Sequence, residues 1–566
     1  MEKRQQTTNS PASGAAPEPT TSGQAPSRRT ALHLIGVGGV MLTAPGLLSG
    51  CAPGGSRGDK HGDPKAGAKG TDKPIAKLNW AVDSPPRSLD FNHAFDGYSW
   101  VVYSELAEPL ITCDSSGKLI PKLATSWAQP DPSTIVFTLR TGVKFWDGKT
   151  LTAEDVVWSL NRAGDPKVAS EFAVNWQNVK SVHASTSGKI TVRLKKPDKT
   201  FLYVLRYPPI YQKAHALAAG ADFGGPSGLV MGTGPYQIKK FSSATGATMR
   251  RFDGYWGRKP TVESINVKVI SDPDTLRLAV ESGEVDGTFS VPENNRAAWD
   301  KMSGARVLYG PSGQVDMLIL DTTRPPFDDV HARRAIAYAL DRPGIIKTIE
   351  HGHADPAYSV SSPFNWQKTD SAAAVKKFFG TLPEFPLDLK RAKSELAKSA
   401  TPDGFSITVL VPSQGFNSNN LILQTLQENV KDLGVHIKIK EVPFATYAGR
   451  VRGKSHDPMS IAGLGPLSPD PLSLVGSLVT GEDAGFTAYA PKDVLADLAE
   501  YKAATSAQQS KIARRVVRQL SADLPVIPIT YGNVSFALNK KYVFATDMTG
   551  NTLFGDSWVQ FVKLAR

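Results

Sequence analysis

A chain of 566 residues with 40% hydrophobic and 21% charged content has the composition of a globular protein with a large core, not of a disordered or fibrous one. Its formal charge of +12 arises from 65 basic and 53 acidic residues that are interspersed, without the long basic run of a nucleic-acid partner, and suits a protein held over an anionic envelope. With only two cysteines, Cys51 and Cys113, no disulfide framework is available once one of them is modified.

Residues 1–27 are rich in Ser, Thr, Pro and Gln and cannot bury enough apolar area to offset chain entropy. Arg28 and Arg29 precede an apolar, glycine-containing stretch from Ala31 to Leu48, which ends at Leu48-Ser49-Gly50-Cys51. Positive region, short apolar core and small-residue cleavage site together read as a signal peptide over 1–50. The Gly/Lys/Asp-rich residues 51–75 read as a flexible tether.

Strand periodicity begins at Leu78, Trp80 and Val82, and stops at Ser84-Pro85-Pro86. Asp83 and Ser84, just past that strand end, are candidate cleft residues. Trp100, Tyr103 and Leu106 follow at helical spacing as core. Ile135, Phe137 and Leu139 alternate as a half-buried strand, Val143 and Phe145 restart the alternation, and Asp147-Gly148 supplies a tight turn. Thr152 and Asp155 form a capping box for a helix with Val156, Val157 and Leu160 inward. Another strand is expected at Ile190, Val192 and Leu194. An isolated Gly232-Thr233-Gly234 lacks the spacing of a phosphate loop. Asp272 or Asp274 caps a helix ended by Gly283, and a hinge is expected around 306–313.

Beyond the hinge, Ile336 and Leu340 mark a helix whose Arg333 and Arg334 are expected on its solvated face. His351 and His353 are too isolated for a metal site. Leu426, Val430 and Leu433 line a helix, Gly434 caps it, and Val435, Ile437 and Ile439 alternate as a strand. No H-E-x-x-H, G-x-S-x-G, Walker or C-x-x-C motif occurs, so no common catalytic framework is visible and neither an enzyme nor a cofactor is expected.

The segment GVKFWDGKTLTAEDVVWSLNRA resembles the signature region of the peptide/nickel family of extracellular solute-binding proteins, the capture subunits of ABC importers. Five further segments resemble the family in order: RRFDGYWGRKPTVESINVKVI, DPDTLRLAVESGEVDGTFSV, LILDTTRPPFDDVHARRAIAYALDRPGII, LILQTLQENVKDLGVHIKIKEV and LPVIPITYGNVSFALNKKY. The resemblance implies an α/β, two-lobed periplasmic-binding-protein-like fold (type II, cluster C) with an interlobe ligand cleft. One lobe would span 76–308, with a small subdomain at about 116–228, and take back 533–566; the other would span 309–532.

LSGC resembles the bacterial lipobox, which implies diacylation of Cys51, and SRRTAL resembles a twin-arginine export signal. The implied partners are a peptide or small-molecule ligand, an ABC permease with its ATPase, and the membrane through the lipid; the protein itself would be monomeric and extracytoplasmic. Trp366 and Tyr531 are candidate ligand contacts. In peptide binders of the family an Asp-Tyr-Pro-Asp-Pro segment offers an aspartate to the peptide α-ammonium. Here Leu467 takes that place ahead of Pro469-Asp470-Pro471, which weakens the case for a free peptide N-terminus unless Asp470 substitutes. Oligosaccharides, opines, nickel complexes and siderophores remain open as solutes, as does a sensing receptor without transport.

Overall fold

The computed structural model describes residues 70–292, 295–413, 417–452, 457–479, 487–553, 555 and 557–566. The chain divides into two compact units, Met1–His61 and Gly62–Arg566, and the described residues all belong to the second. Cys51, Arg28 and Arg29 lie outside them.

Local signals build most elements as the sequence implies. Thr152 accepts from the Asp155 amide while the Asp155 carboxylate accepts from Thr152, and this capping box opens the helix Ala153–Arg162 with Val156 and Leu160 buried. Asp272 caps Pro273–Ser282, and Gly283 closes that helix in the left-handed region at φ 79°. Val143 and Phe145 depart from expectation. Both are buried, yet they form no strand, only one bridge between Lys144 and Thr150 across the Asp147-Gly148 turn.

One large mixed sheet organises the unit. Its strands are β1 (Leu78–Val82), β2 (Tyr236–Ser242), β3 (Gly246–Arg251), β4 (Ser264–Val269), β5 (Gly287–Thr288), β6 (Ala305–Leu320), β7 (Asp355–Pro356), β8 (Met459–Leu464) and β9 (Val526–Asn539). They run in the order β8-β6-β9-β5-β1-β4-β3-β2, with β7 also on β9. β1 pairs β4 and β5 in parallel, while β6 and β9 are antiparallel. A separate four-stranded antiparallel sheet, Ala124–Asp131, Thr134–Leu139, Ile190–Leu194 and Val179–Ala184 in spatial order, carries the helix Ala153–Arg162.

Buried side chains fall into sets that β6 and β9 connect. Residues Ile75 to Val267 pack with Phe536 to Val562, and a smaller set joins Ala81, Leu276 to Ala305, and Ala537. Two further sets lie between Val315 and Ile529. β6 and β9 each start in one lobe's core and end in the other's. Their register runs from Ala305↔Asn539 to Pro311↔Asn533, breaks, and resumes at Val315↔Tyr531.

Gly313 sits in that break at φ 74°, and a Cβ there would come within 2.5 Å of Asn365 Oδ1. Left-handed backbone and close approach both demand glycine. Gly313→Ala is therefore expected to lower stability by about 1–3 kcal/mol, read as a shift in the urea midpoint. A change below about 0.5 kcal/mol would show that the break is not constrained.

Arg333 is not on a solvated face. It is buried, donating from Nε to Asp523 O at 2.7 Å and from Nη1 to Phe327 O at 2.6 Å.

Candidate functional site

The two lobes touch along a seam. One side is the 3-10 helix Lys199–Arg206 with Tyr207 and the turn Asp114–Lys118; the other is the loop after β8, with Lys368 and the segment around Lys502. Asp198 caps the 3-10 helix through the Thr200 amide and receives the Lys502 ammonium at 3.3 Å. Lys199 Nζ donates to Ala504 O at 3.3 Å. Gly117 lies against Pro469, whose Cγ would be 2.6 Å from an added Cβ.

The loop after β8 is shaped by its own residues. Pro466, Pro469 and Pro471 lack the N–H needed to continue a ladder, so β8 stops at Leu464. The Asp470 carboxylate accepts the Leu472 amide at 3.0 Å, the Tyr501 hydroxyl at 3.1 Å and the Ser468 hydroxyl. That is the local turn chemistry of an aspartate. Burial pushes the Asp470 pKa up, and no cation lies within ion-pair reach of it among the described residues. Asp470 thus organises its loop and has little acceptor capacity left for a solute ammonium.

Leu467 offers its backbone to the opposite lobe. Its carbonyl accepts Tyr207 OH at 3.0 Å and Arg206 Nη2 at 3.5 Å. Arg206 is only 4% exposed. Its Nη1 faces Cys113 Sγ at 2.6 Å and its Nη2 donates to Tyr207 OH at 2.7 Å, while Nε has no partner among the described residues. Lys368 is exposed along its stem, but its ammonium reaches Gly117 O and Tyr203 OH and stands 4.4 Å from the Tyr203 ring centre. Desolvation of that ammonium pulls its pKa down to about 8. Burial raises the Cys113 thiol, which keeps it neutral.

The other anticipated residues are placed apart from this cluster. Asp83 and Ser84 follow β1, where Ser290 Oγ accepts the Asp83 amide at 3.4 Å; Asp83 Oδ1 is buried without a partner among the described residues, and desolvation raises its pKa. Trp366 is fully buried: its Nε1 donates to Ser361 Oγ at 2.8 Å and its ring packs on Phe378 and Phe379, so it supports the wall and has no face for a solute. The ring's apolar area is spent on the core of its own lobe. Tyr531 lines a groove of about 950 Å³ beside the hinge, with Phe364, Phe379 and Leu382, and donates its hydroxyl to Ser359 O at 3.0 Å. That groove is walled by one lobe and the hinge strands, whereas the seam joins both lobes and holds unmatched charge. The seam is therefore the candidate site. His353 Nε2 meets Asp300 Oδ2 at 2.8 Å and its ring stacks on Tyr309 at 3.7 Å. Among the described residues no group of three or more His, Cys, Asp or Glu is placed to hold a metal ion.

Arg206, Tyr207 and Lys368 escaped the sequence reading. The one available signal was a charge closing the apolar run Phe201–Arg206, where a basic residue is out of keeping with its neighbours.

Comparison with known proteins adds an independent line. The family profile "Bacterial extracellular solute-binding proteins, family 5 Middle" matches residues 118–486. The glutathione-binding protein GsiB of Escherichia coli O6:K15:H31 is 28% identical over 377 residues, covering 66% of this chain and 71% of the relative. The periplasmic binding protein DppA from Helicobacter pylori, solved with peptide STSA, superposes with a TM-score of 0.73 at 22% identity over 88% of this chain and 99% of that one. The ABC transporter substrate-binding protein CtaP from Listeria monocytogenes gives a TM-score of 0.74 at 22% identity, over 87% and 100%.

Proposed function

The chain belongs to family 5 of the bacterial extracellular solute-binding proteins, the substrate-binding components of ABC transporters, and from that premise we propose that it captures a peptide or peptide-like solute and delivers it to a permease. The observation that carries the reading is the seam, where residues from both lobes converge around buried charge that the protein itself leaves unmatched. Glutathione and short peptides, the solutes named for the relatives, are of that class.

Capture requires no bond to be made or broken. A solute gripped between lobes shifts an open-closed equilibrium by its differential affinity for the closed form, and the closed form is what a permease engages. β6 and β9, which cross between the two cores, are the elements on which such a motion would turn. The solute identity is tested by thermal-shift screening of the compact unit Gly62–Arg566 against peptide and sugar libraries. A ligand at 100 times its Kd should add about 2.7 kcal/mol of stability, and silence toward peptides of every length would reject peptide capture.

No helix among the described residues is long and apolar enough to cross a membrane. Lipidation of Cys51 after export directed by Arg28 and Arg29 would tether the protein outside the membrane, because two acyl chains hold stably where one does not. Cys51→Ala in the full chain should move the protein from the membrane fraction to the soluble extracytoplasmic fraction. Persistent membrane association of that variant would reject the anchor.

A further inference from the structure

Among the described residues, three other buried or half-buried arginines each meet a carboxylate or several backbone carbonyls. Arg162 meets the Asp90 carboxylate through both Nη1 and Nη2 at 3.0 and 2.8 Å. Arg296 meets Glu350 at 2.5 Å. Arg342 spreads its donors over four backbone carbonyls. Arg206 is as deeply buried as these, yet its partners are a thiol, a phenol and one carbonyl at 3.5 Å, and Nε has none among the described residues. A buried guanidinium left this way is a net cost to the fold.

The acids near it are committed elsewhere. Asp470 serves Ser468, Leu472 and Tyr501; Asp114 accepts the Ser116 and Lys118 amides; Asp198 holds Thr200 and Lys502. From the opposite lobe Lys368 brings a second cation, which acts on the same Cys113 thiol as Arg206 and itself reaches only neutral oxygens. Bringing the lobes together therefore places these two like charges across one seam, a cost set against the Asp198–Lys502 pair that also spans it. A carboxylate between the two cations reverses the sign. One edge of a guanidinium carries Nε and Nη2, the fork that a carboxylate accepts bidentately; here Nε is unmatched among the described residues, and Nη2 gives Tyr207 OH one bond at 2.7 Å and reaches the Leu467 carbonyl only at 3.5 Å.

We infer that Arg206 receives a carboxylate group of the solute, with Lys368 closing on the same group from the other lobe, so that the solute class is carboxylate-bearing. The inference rests on the reading of the seam as the capture site. It also accounts for the seam's lack of a free acid: the protein supplies the cations and the solute supplies the anion. The charge at this end of the seam is then balanced only when the solute is present, which couples closure to capture.

The test compares the unit Gly62–Arg566 with its Arg206→Met variant against di- and tripeptides as free acids and as the same sequences amidated at the C-terminus. The free acids should bind the parent at least about tenfold more tightly than the amides, and the variant should lose that preference. Without ligand the variant should unfold at no lower temperature than the parent, since an unmatched buried charge has been removed. A structural role for Arg206 predicts a lower one. Affinity for the free acid should also fall between about pH 7 and 9 as Lys368, which faces Tyr203, Cys113, Asp114, Arg206 and Asp470, gives up its proton.

Equal binding of acids and amides, or an unchanged preference in the variant, would overturn the inference while leaving peptide capture intact. Silence toward both peptide sets would instead remove the peptide reading, and non-peptide organic acids set against neutral sugars then decide. Arg206-dependent binding of an acid supports the inference. Binding of sugars alone, or of nothing in any set, overturns it.

Discussion

Replacing Arg342 with methionine should lower the stability of the unit by about 3–5 kcal/mol, a loss among the largest that single substitutions produce. The side chain is 1% exposed. Its Nε donates to Ala357 O and Pro528 O, both at 2.9 Å, Nη1 to Phe385 O at 2.8 Å and to Ala337 O at 3.4 Å, and Nη2 to Pro528 O at 2.7 Å. One guanidinium thus ties the helix Val330–Ala339, the segment after β7, the Phe385 turn and strand β9. Burial pulls its pKa down to about 10, which still leaves it charged at neutral pH.

Two effects oppose each other in the Arg342→Met variant. Deleting the charge removes a desolvation cost of several kcal/mol. Against it, four carbonyls lose a charged donor, at about 1–3 kcal/mol for each one left dry. The second should win, because methionine fills the volume but donates nothing. Arg342→Lys should recover less than half, since an ammonium is a single point and cannot span four separated carbonyls. Urea unfolding measures the loss, and hydrogen exchange along Val526–Asn539 localises it. A loss below about 1 kcal/mol would mean that water replaces the guanidinium and that the clamp is dispensable.

What the sequence made legible, and what it hid, divides by the range of the interaction. The Thr152/Asp155 capping box and the Gly283 and Gly434 helix ends are written within a few residues of one another, and each forms as read. Val143 and Phe145 also obey their pattern, but a two-residue period states only which side chains are buried. Whether a neighbouring strand is there to pair with is a tertiary matter, and here none is.

Arg333 defeated the helical period for a related reason. Its partner carbonyls come from its own N-terminal loop and from Asp523, 190 residues away. Nothing local distinguishes a cation aimed at a distant carbonyl from one aimed at water. Trp366 is a candidate contact because an aromatic ring can stack on or hydrogen-bond a solute, with core packing as the equal alternative; its burial in the core depends on Phe378 and Phe379 of a following helix. The seam itself was half visible. Leu467 and Asp470 were marked by motif position, whereas Arg206 and Lys368 belong to segments that meet the loop only in three dimensions.

Glu108 shows how a sequence signature can stand for one buried charge. Its carboxylate, 2% exposed, accepts Thr233 Oγ1 at 2.8 Å, Tyr255 OH at 2.7 Å and Trp256 Nε1 at 2.8 Å, and pairs with the Lys122 ammonium at 3.2 Å. The Gly-Thr-Gly-Pro-Tyr and Asp-Gly-Tyr-Trp-Gly segments, which no phosphate-binding role explains, are the donors of this carboxylate. Glu108→Ala is expected to destabilise by about 3–5 kcal/mol, because it leaves three polar hydrogens and a nearly buried cation facing a cavity. Removing the opposing charge as well should relieve the part of that loss due to the cation. Glu108→Leu with Lys122→Met should be more stable than Glu108→Leu alone, since the stranded cation is gone, while the three donors still lack their acceptor. A double-mutant cycle of Glu108→Leu and Lys122→Met, singly and together, in urea unfolding separates the two contributions. If Glu108→Ala costs less than about 1 kcal/mol, or the double variant is no better than the single, the carboxylate is not what joins these segments, and the Arg140 guanidinium stacked on Trp256, 4.5 Å from its ring centre, holds them instead.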